Sequence, residues 1–125
     1  MITGQDTNGN DNIVIVELKQ WGKALKIGTI QDHSVYSDLE GGKAVPHPCY
    51  QAYSYKRSIE NYCEEVNKEH ISPYPCAYLH NLGEYYRAVI EDGLYSDWVE
   101  EAPVFLSHDA LKLRNFIKQY IKPFL

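Results

Sequence analysis

The feature that most constrains this chain is an apolar run, Ile13-Val14-Ile15-Val16, followed at once by Glu17-Leu18-Lys19. An apolar run of this length without polar alternation indicates a strand that is covered on both faces. Asn8-Gly9, just before it, is the strongest short-range signal for a type I′ hairpin turn. The sequence therefore predicts two antiparallel strands, of which the second runs from about Ile13 to Gln20 and is central in its sheet.

The middle of the chain predicts one more strand and a long helix. The strand is expected to end near Val35-Tyr36, and Glu40-Gly41-Gly42-Lys43 predicts a turn or mobile loop. Pro48 suits the first turn of a helix that extends to about Lys68, before Pro73 and Pro75 end the region. The apolar stripe of this amphipathic helix has steps of three and four residues: Ala52, Tyr55, Ile59, Tyr62, Cys63 and Val66.

The last third of the chain predicts a buried strand from Cys76 to His80, a loop with a short helix around Asp97 to Glu101, and a short apolar segment, Val104-Phe105-Leu106. Ser107 is the expected N-cap of a final helix. Its packed stripe is Leu113, Phe116, Ile117, Tyr120 and Ile121. The order β-β-β-α-β-α predicts an α/β domain with a small mixed sheet.

Length and composition restrict the class of protein. The 125 residues suffice for one domain, and 44% hydrophobic with 23% charged residues is typical of a folded protein. No apolar stretch reaches the roughly 18 residues of a membrane-spanning helix, and no signal sequence begins the chain. Three cysteines, an odd number, rule out a disulfide framework. A reducing cytoplasm is the expected location, with no membrane contact.

The net charge of −5 by itself disfavours a nucleic-acid binder. The acidic excess is local, however, and falls between Glu84 and Glu101, so the rest of the chain is neutral. We call this segment the acidic strip. It is expected to be a solvated face or a docking surface, and it leaves room for a nucleic-acid-facing surface elsewhere.

Glu17 and Lys19 are the strongest candidates for chemistry. Because side chains alternate along a strand, both point to one face and Leu18 points to the other. A carboxylate is a ligand for Mg²⁺, and a lysine can orient water or stabilise the charge of a phosphate. The alternative is a simple surface ion pair where the strand emerges into solvent.

Gln51 is a second candidate, because it lies four residues before Tyr55 on the apolar stripe of the helix. A glutamine on an apolar face must find hydrogen-bond partners or lower stability. It is either a core residue bonded to backbone, or an amide that points with the Tyr55 phenol towards the strand of Glu17 and Lys19.

These residues resemble a known family. Ile15-Val16-Glu17-Leu18-Lys19 after a hairpin is similar to the (D/E)xK half of the PD-(D/E)xK nuclease motif, and Gln51-Ala52-Tyr53-Ser54-Tyr55 is similar to the QxxxY motif of its RecB-like branch. With the segments His47–Tyr55 and Ala77–Asn81, nearly the whole chain resembles the N-terminal region of bacterial Schlafen-like DNA/RNA helicases.

The resemblance implies a restriction-endonuclease-like domain over residues 1–125, flanked by helices, in a longer protein with a C-terminal ATPase/helicase domain. It implies that Glu17 is a ligand for Mg²⁺ or Mn²⁺, that Lys19 positions water, and that Gln51 and Tyr55 hold DNA or RNA. No G-x-x-x-x-G-K-[ST] motif occurs, so we expect no ATP site in this chain.

The family motif also requires an aspartate opposite Glu17. A two-residue turn at Asn8-Gly9 places Glu17 opposite the position just before Met1, and a shift of one residue places Met1 or Ile2 there. Asp6 and Asp11 lie at the turn, roughly 15–20 Å from Glu17. We therefore expect the second ligand upstream of this chain, or a site that has decayed. The chain alone is expected to bind metal weakly.

Other combinations are weaker. His47, Cys49, Cys76 and His80 match no spacing of a zinc site, so His47 is expected to be a loop residue and His80 a polar group at a strand end. Neither Cys49 nor Cys63 has a pattern of a catalytic base. Packing explains Tyr55 and Tyr62, whereas Tyr50, Tyr53, Tyr85 and Tyr86 stay open as base-stacking residues. Two functions follow: a metal-dependent phosphodiesterase domain, or a non-catalytic nucleic-acid- or partner-binding module of the same fold.

Overall fold

Two β-sheets and four α-helices form the part of the chain that the computed structural model describes, which is residues 1–26, 34–37, 44–64 and 70–123. The first sheet has the order β1-β2-β6-β7, and the second has the order β3-β4-β5. The strands are β1 Ile2–Gln5, β2 Asp11–Lys19, β3 Ala24–Lys26, β4 Ser34–Ser37, β5 Ala44–Pro46, β6 Ser72–Leu79 and β7 Val104–Phe105. The helices are α1 Pro48–Tyr62, α2 Arg87–Ile90, α3 Ser96–Glu101 and α4 Ala110–Tyr120.

The first sheet is mixed, as predicted, because β2 pairs antiparallel with β1 and parallel with β6. β7 adds to the far side of β6, also in parallel. Strand β2 is therefore central, and the helix α1 belongs to the crossover that joins it to β6. The protein is thus of the mixed α/β class that the order of elements predicts.

The hairpin forms, but its turn is one residue longer than expected. Asp6 N donates to Asn10 O at 3.1 Å, so Thr7, Asn8 and Gly9 form a three-residue loop, and Gly9 has φ +81°. The Asp6 carboxylate accepts hydrogen bonds from the backbone N–H groups of Asn8 and Asn10, which stabilises this wider turn. Ile2 consequently pairs with Val14.

Strand β6 begins earlier than predicted and contains Pro73 and Pro75. Proline is normally confined to sheet edges because it has no N–H to donate. Ala77 N donates to Pro103 O at 2.9 Å, so the N–H of Ala77 points towards β7. Pro73 and Pro75 lie four and two residues earlier, so their backbone nitrogens point to this same side of β6. Since β7 begins opposite Ala77, both prolines lie at an edge of the sheet within the described part of the chain.

The two faces of the first sheet carry different helices. Ile13, Ile15 and Glu17 of β2 face α1, and this face continues into the main core, which contains Ala77, Leu79 and Val104. Helix α4 covers the other face. There Asn12 Nδ2 donates to Tyr120 O at 2.8 Å, the rings of Tyr74 and Tyr120 stack at 3.7 Å, and Phe116 packs on Phe105.

The sequence did not predict the second sheet as a separate unit. The expected strand near Val35-Tyr36 is β4, and it pairs with β3 on one side and β5 on the other. Tyr95, fully buried, donates its hydroxyl to Ser34 O at 2.6 Å and so joins this sheet to the helices. The predicted turn at 40–43 lies outside the described residues, as does the last part of the expected helix, from residue 65 to about Lys68.

His47 was expected to be a loop residue, and it does lie in the connection between β5 and α1. It is, however, fully buried and is the N-cap of α1. Its Nδ1 accepts from Cys49 N at 3.1 Å, which leaves the hydrogen on Nε2 to be donated to Ile90 O at 2.9 Å. Its ring lies 4.5 Å from that of Tyr95. Both ring nitrogens are therefore engaged with the protein.

The start of the last helix also differs from the prediction. Asp109, not Ser107, is the residue before α4, and Ser107 N donates to Leu82 O. The Asp109 carboxylate accepts from Leu106 N at 2.9 Å and from the Arg87 guanidinium. With these two partners, Asp109 stabilises the turn into α4. The stripe of α4 that was predicted to be packed is the least exposed face of the helix. None of the helices in the described ranges is both long and apolar enough to cross a membrane.

Candidate functional site

Glu17 and Lys19 lie side by side near the carboxyl end of β2. Lys19 Nζ is 3.5 Å from Glu17 Oε1, and the two side chains are only 21% and 18% exposed. Lys19 Nζ also lies 5.7 Å from the centre of the buried Trp21 ring, a distance at which a cation is attracted to the aromatic face. The two groups therefore form a partly buried ion pair, which is less exposed than the surface pair of the alternative expectation.

On the β6 side, Glu17 has no acidic neighbour. Glu17 pairs with Ala77 and Lys19 with Leu79 in the parallel register, and both partners are buried and apolar. On the β1 side, the pairs end at Ile2 and Val14. Continued in the same register, the position opposite Glu17 is the second residue before Met1, one residue further upstream than the two-residue turn implied.

Helix α1 contributes Tyr55 to the same side of the sheet. Tyr55 and Glu17 line one cavity of about 540 Å³ between β2 and α1, which agrees with the prediction that the strand pair and this helix share a face. Gln51 lies one turn earlier on the same stripe, and its Oε1 is buried without a hydrogen-bond partner among the described residues. The structure gives no contact between Gln51 and Glu17.

The cavity walls are mostly apolar. Ile13 and Ile15 form the strand side, and Ile59 with the two tyrosines Tyr55 and Tyr62 forms the helix side. Among the described residues that line it, which include Met1, Glu17 has the only charged side chain. Such a cavity suits an apolar group that also presents a polar or charged atom to one end.

The tyrosines of α1 have the opposite arrangement to the predicted one. Tyr55 and Tyr62 were expected in the core, yet they are 53% and 56% exposed. Tyr50 and Tyr53 instead pack against the ring of Trp98 on α3, at 4.9 and 5.6 Å. The buried residues of α1 lie in its first turns, among them the small Cys49 and Ala52, so its second half leaves the sheet and the cavity opens beneath it.

The described residues contain no group of three or more His, Cys, Asp or Glu side chains that could hold a metal ion. The structure thus gives no support to a zinc site formed by His47, Cys49, Cys76 and His80, since both ring nitrogens of His47 already have hydrogen-bond partners. Glu17 alone does not fit a resident Mg²⁺, which needs more acidic ligands or substrate phosphates.

The acidic strip is mainly helical, not the expected loop with one helix. Many of its acidic residues have basic partners: Arg87 binds Glu84 and Glu91, Lys26 lies 3.3 Å from Asp92, and Lys56 lies 3.8 Å from Glu101. These pairs link the strip to β3 and α1. The acidic strip was expected to be a solvated face, and its ion pairs also help to hold its helices against β3 and α1.

Comparisons of the chain with family models, with curated proteins and with solved structures found no match.

Proposed function

We propose that this chain is the nuclease-like domain of a nucleic-acid-processing protein, and that Glu17 and Lys19 are its half of a phosphodiester-hydrolysing site. The observation that carries the proposal is the packed Glu17–Lys19 pair at the end of a central strand, on the face that Tyr55 shares. The sequence resemblance to PD-(D/E)xK nucleases supplies the reaction. In a longer parent chain, an ATPase/helicase domain would follow.

The arrangement of elements supports a restriction-endonuclease-like fold. The second strand of the hairpin carries the Glu17-Leu18-Lys19 sequence. After the three strands of the second sheet come helix α1 and the parallel strand β6, and helices lie on both sides of the first sheet. In this proposal Lys19 orients the attacking water and stabilises phosphate charge, while Gln51 and Tyr55 contact the backbone of DNA or RNA.

The site is complete only when a second carboxylate lies opposite Glu17. In an antiparallel pair, directly opposed side chains share a face and have Cβ atoms about 5 Å apart, which allows two carboxylates to hold one Mg²⁺ or Mn²⁺ between them. The given chain should therefore bind Mg²⁺ only weakly, and Glu17→Gln should change that binding little.

The test is a short N-terminal extension that adds strand residues with aspartate as the second residue before Met1. Its matched control has asparagine there, which keeps the shape and removes the charge. We expect calorimetry to show at least about tenfold tighter Mn²⁺ binding for the aspartate version, because a second carboxylate adds more than 1.4 kcal/mol.

Cleavage of DNA and RNA is measured with the same proteins. We expect metal-dependent cleavage by the aspartate version only, near-complete loss on Lys19→Ala, and a smaller loss on Gln51→Ala, since an amide carries no net charge. Nucleic-acid binding should largely survive Lys19→Ala because it is spread over many phosphate contacts. Equal Mn²⁺ affinity for the two extensions would refute the proposed site.

The second candidate is a non-catalytic module that binds nucleic acid or a partner. It is favoured by the fact that the Glu17 carboxylate already has Lys19 as its counter-ion. Binding of labelled DNA or RNA by both extended proteins, with salt-dependent affinity but no cleavage, would select this function.

A further inference from the structure

The residues of α4 and those just after it carry positive charge and no acidic side chain. The segment from Ala110 to Lys122 contains four of the twelve lysines and arginines of the chain, and its sequence has no aspartate or glutamate. The four cations are Lys112, Arg114, Lys118 and Lys122, and each is exposed. Since the whole chain has a net charge of −5, this segment is opposite in sign to the molecule that carries it.

Two of these cations lie one turn apart in the helix. Arg114 and Lys118 are separated by four residues, about 6 Å along the axis, and therefore share one side of α4. Neither has an acidic partner within the described part of the chain, whereas Lys112 lies 3.8 Å from the Asp109 carboxylate. Like charges at this spacing lower the stability of a helix. Lys118 is in the last turn, where the helix dipole favours a cation, but Arg114 in the middle of α4 gains nothing from the dipole.

Two exposed amides lie beside these cations. Asn115 and Gln119 follow Arg114 and Lys118 in the sequence, so the four side chains form a compact array of hydrogen-bond donors on the exposed side of the helix. We call these four residues the basic face of α4. Arginine, lysine, asparagine and glutamine are among the side chains that donate to phosphate oxygens when a protein binds the backbone of a nucleic acid.

The other side of α4 is already packed on the sheet. The rings of Phe116 and Phe105 lie 5.7 Å apart, and Tyr120 stacks on Tyr74 at 3.7 Å. A helix that lies on a membrane buries its apolar side in the lipid, whereas the apolar side of α4 is committed to the protein. The same packing keeps both aromatic rings of α4 away from the basic face, where unpaired bases would need them for stacking.

The acidic strip of a second copy is a poorer partner for the basic face. Several of its carboxylates are occupied within their own chain, since Arg87 binds Glu84 and Glu91, and Lys26 lies 3.3 Å from Asp92. A nucleic acid, in contrast, presents a negative charge at every phosphate. The charge and the packing of α4 therefore favour a nucleic-acid backbone over a membrane or a second copy of this chain.

We propose that the basic face of α4 binds the phosphate backbone of a double-stranded nucleic acid, independently of base sequence. The guanidinium of Arg114 and the ammonium of Lys118 neutralise phosphates, and the two amides donate to phosphate oxygens. The two further cations of the segment extend the positive surface at each end of α4. This surface lies across the sheet from Glu17 and Lys19. It rests on the proposed function only in that both have a nucleic acid as partner, and it requires neither metal nor cleavage.

The measurement is fluorescence anisotropy of a labelled, mixed-sequence DNA duplex with the 125-residue chain, in EDTA and from about 50 to about 200 mM salt. Each cation on a phosphate contributes about −0.9 to the slope of log K against log salt concentration, so we expect a slope of about −2 to −4. Arg114→Gln combined with Lys118→Gln, the α4 variant, should weaken binding at least tenfold in low salt and make the slope shallower by about 2.

The matched control is Lys23→Gln combined with Arg57→Gln, which removes the same charges from exposed positions outside α4. It has the same net charge as the α4 variant, and we expect it to bind within about threefold of the original chain. Exchange of the two cations, Arg114→Lys with Lys118→Arg, should also keep binding within about threefold. Glutamine has nearly the helix propensity of arginine and lysine, so the α4 variant should keep the unfolding midpoint of the original chain in urea.

Three results would overturn the proposal. The first is the absence of duplex binding in about 50 mM salt, and the second is equal weakening by the α4 variant and its control, which would show an effect of net charge alone. The third is tighter binding to single-stranded DNA, or to vesicles of phosphatidylcholine and phosphatidylserine, than to the duplex. The Mn²⁺ affinity of the extended proteins tests the cleavage site separately, so a failure of either proposal is distinguishable from a failure of the other.

Discussion

Protonation of the buried His47 should destabilise this protein in mild acid. The imidazole is fully buried, accepts from Cys49 N through Nδ1 and donates to Ile90 O through Nε2. Burial lowers the pKa of His47 from 6.5 to about 4, although the bond to Ile90 O opposes the shift. A second proton must go to Nδ1 and would convert the N-cap acceptor into a donor that faces Cys49 N–H.

The sign and the size of the effect follow from the two pKa values. Since the folded-state pKa is below the unfolded value, the unfolded chain binds the proton first, and stability is fully present above about pH 6.5 and falls as the pH drops towards 4. A shift from 6.5 to about 4 corresponds to at most about 3 kcal/mol. Between pH 7 and pH 5 the expected loss from this group is about 2 kcal/mol.

The measurement is the free energy of unfolding in urea at pH 7, 6 and 5 for the original chain and for His47→Asn. Asparagine can still cap α1 but has no proton to gain in this range, so only the original chain loses the contribution of His47. The difference in free energy of unfolding between the original chain and His47→Asn should therefore shrink by about 2 kcal/mol from pH 7 to pH 5. His108→Asn, at an exposed position, is the matched control and should follow the original chain.

An equal pH dependence of stability for the original chain and His47→Asn would refute this reasoning. An NMR titration in which the His47 ring gains its proton above pH 6 would refute it as well, without requiring that the variant folds. Carboxylates that titrate at the acid end of the range are present in all three proteins and cancel in the comparison.

Two further predictions concern charge and thiols. Arg87→Ala should lower the free energy of unfolding by about 2 kcal/mol, because it removes the hydrogen-bonded cation of the 6%-exposed Asp109 and leaves only the more distant and exposed Lys112. Arg57→Ala should cost less than about 0.5 kcal/mol, since its pair with Glu60 is exposed; equal losses in urea denaturation would contradict this. A thiol reagent at neutral pH should label only Cys63 quickly, since Cys49 and Cys76 are fully buried and burial raises the pKa of Cys76 to about 12; rapid labelling of two thiols would show that the core opens.

The central strand and the shared face of its two charged side chains were predictable because they depend on local rules. An apolar run followed by Glu17 and Lys19 determines which side chains share a face, and the structure has that pair on the face of α1. The turn was less predictable. Asn8-Gly9 supports two hairpin geometries, and the Asp6 carboxylate, which bonds two backbone N–H groups of the loop, favours the longer one.

Other features depended on tertiary context. The periodic stripe of α1 shows which side chains face the sheet, but not how far along the helix the sheet extends, so Tyr55 and Tyr62 were wrongly expected in the core. Pro73 and Pro75 were expected to end the helical region, before a strand that begins at Cys76. They are instead accommodated in β6, because β7 pairs only with Ala77 and Tyr78 near its end. The buried position of His47 follows from its two backbone bonds, one of which is to a residue 43 positions away.

The position opposite Glu17 decides between the chemical outcomes at this edge. Glu17 and Lys19 alone form a neutral pair, and a neutral pair attracts neither a divalent cation nor a phosphate strongly. An acidic residue opposite Glu17 makes the local charge negative and favours a metal ion, whereas a neutral or basic residue there does not. The affinity of an extended chain for Mn²⁺ therefore reports which residue lies opposite Glu17.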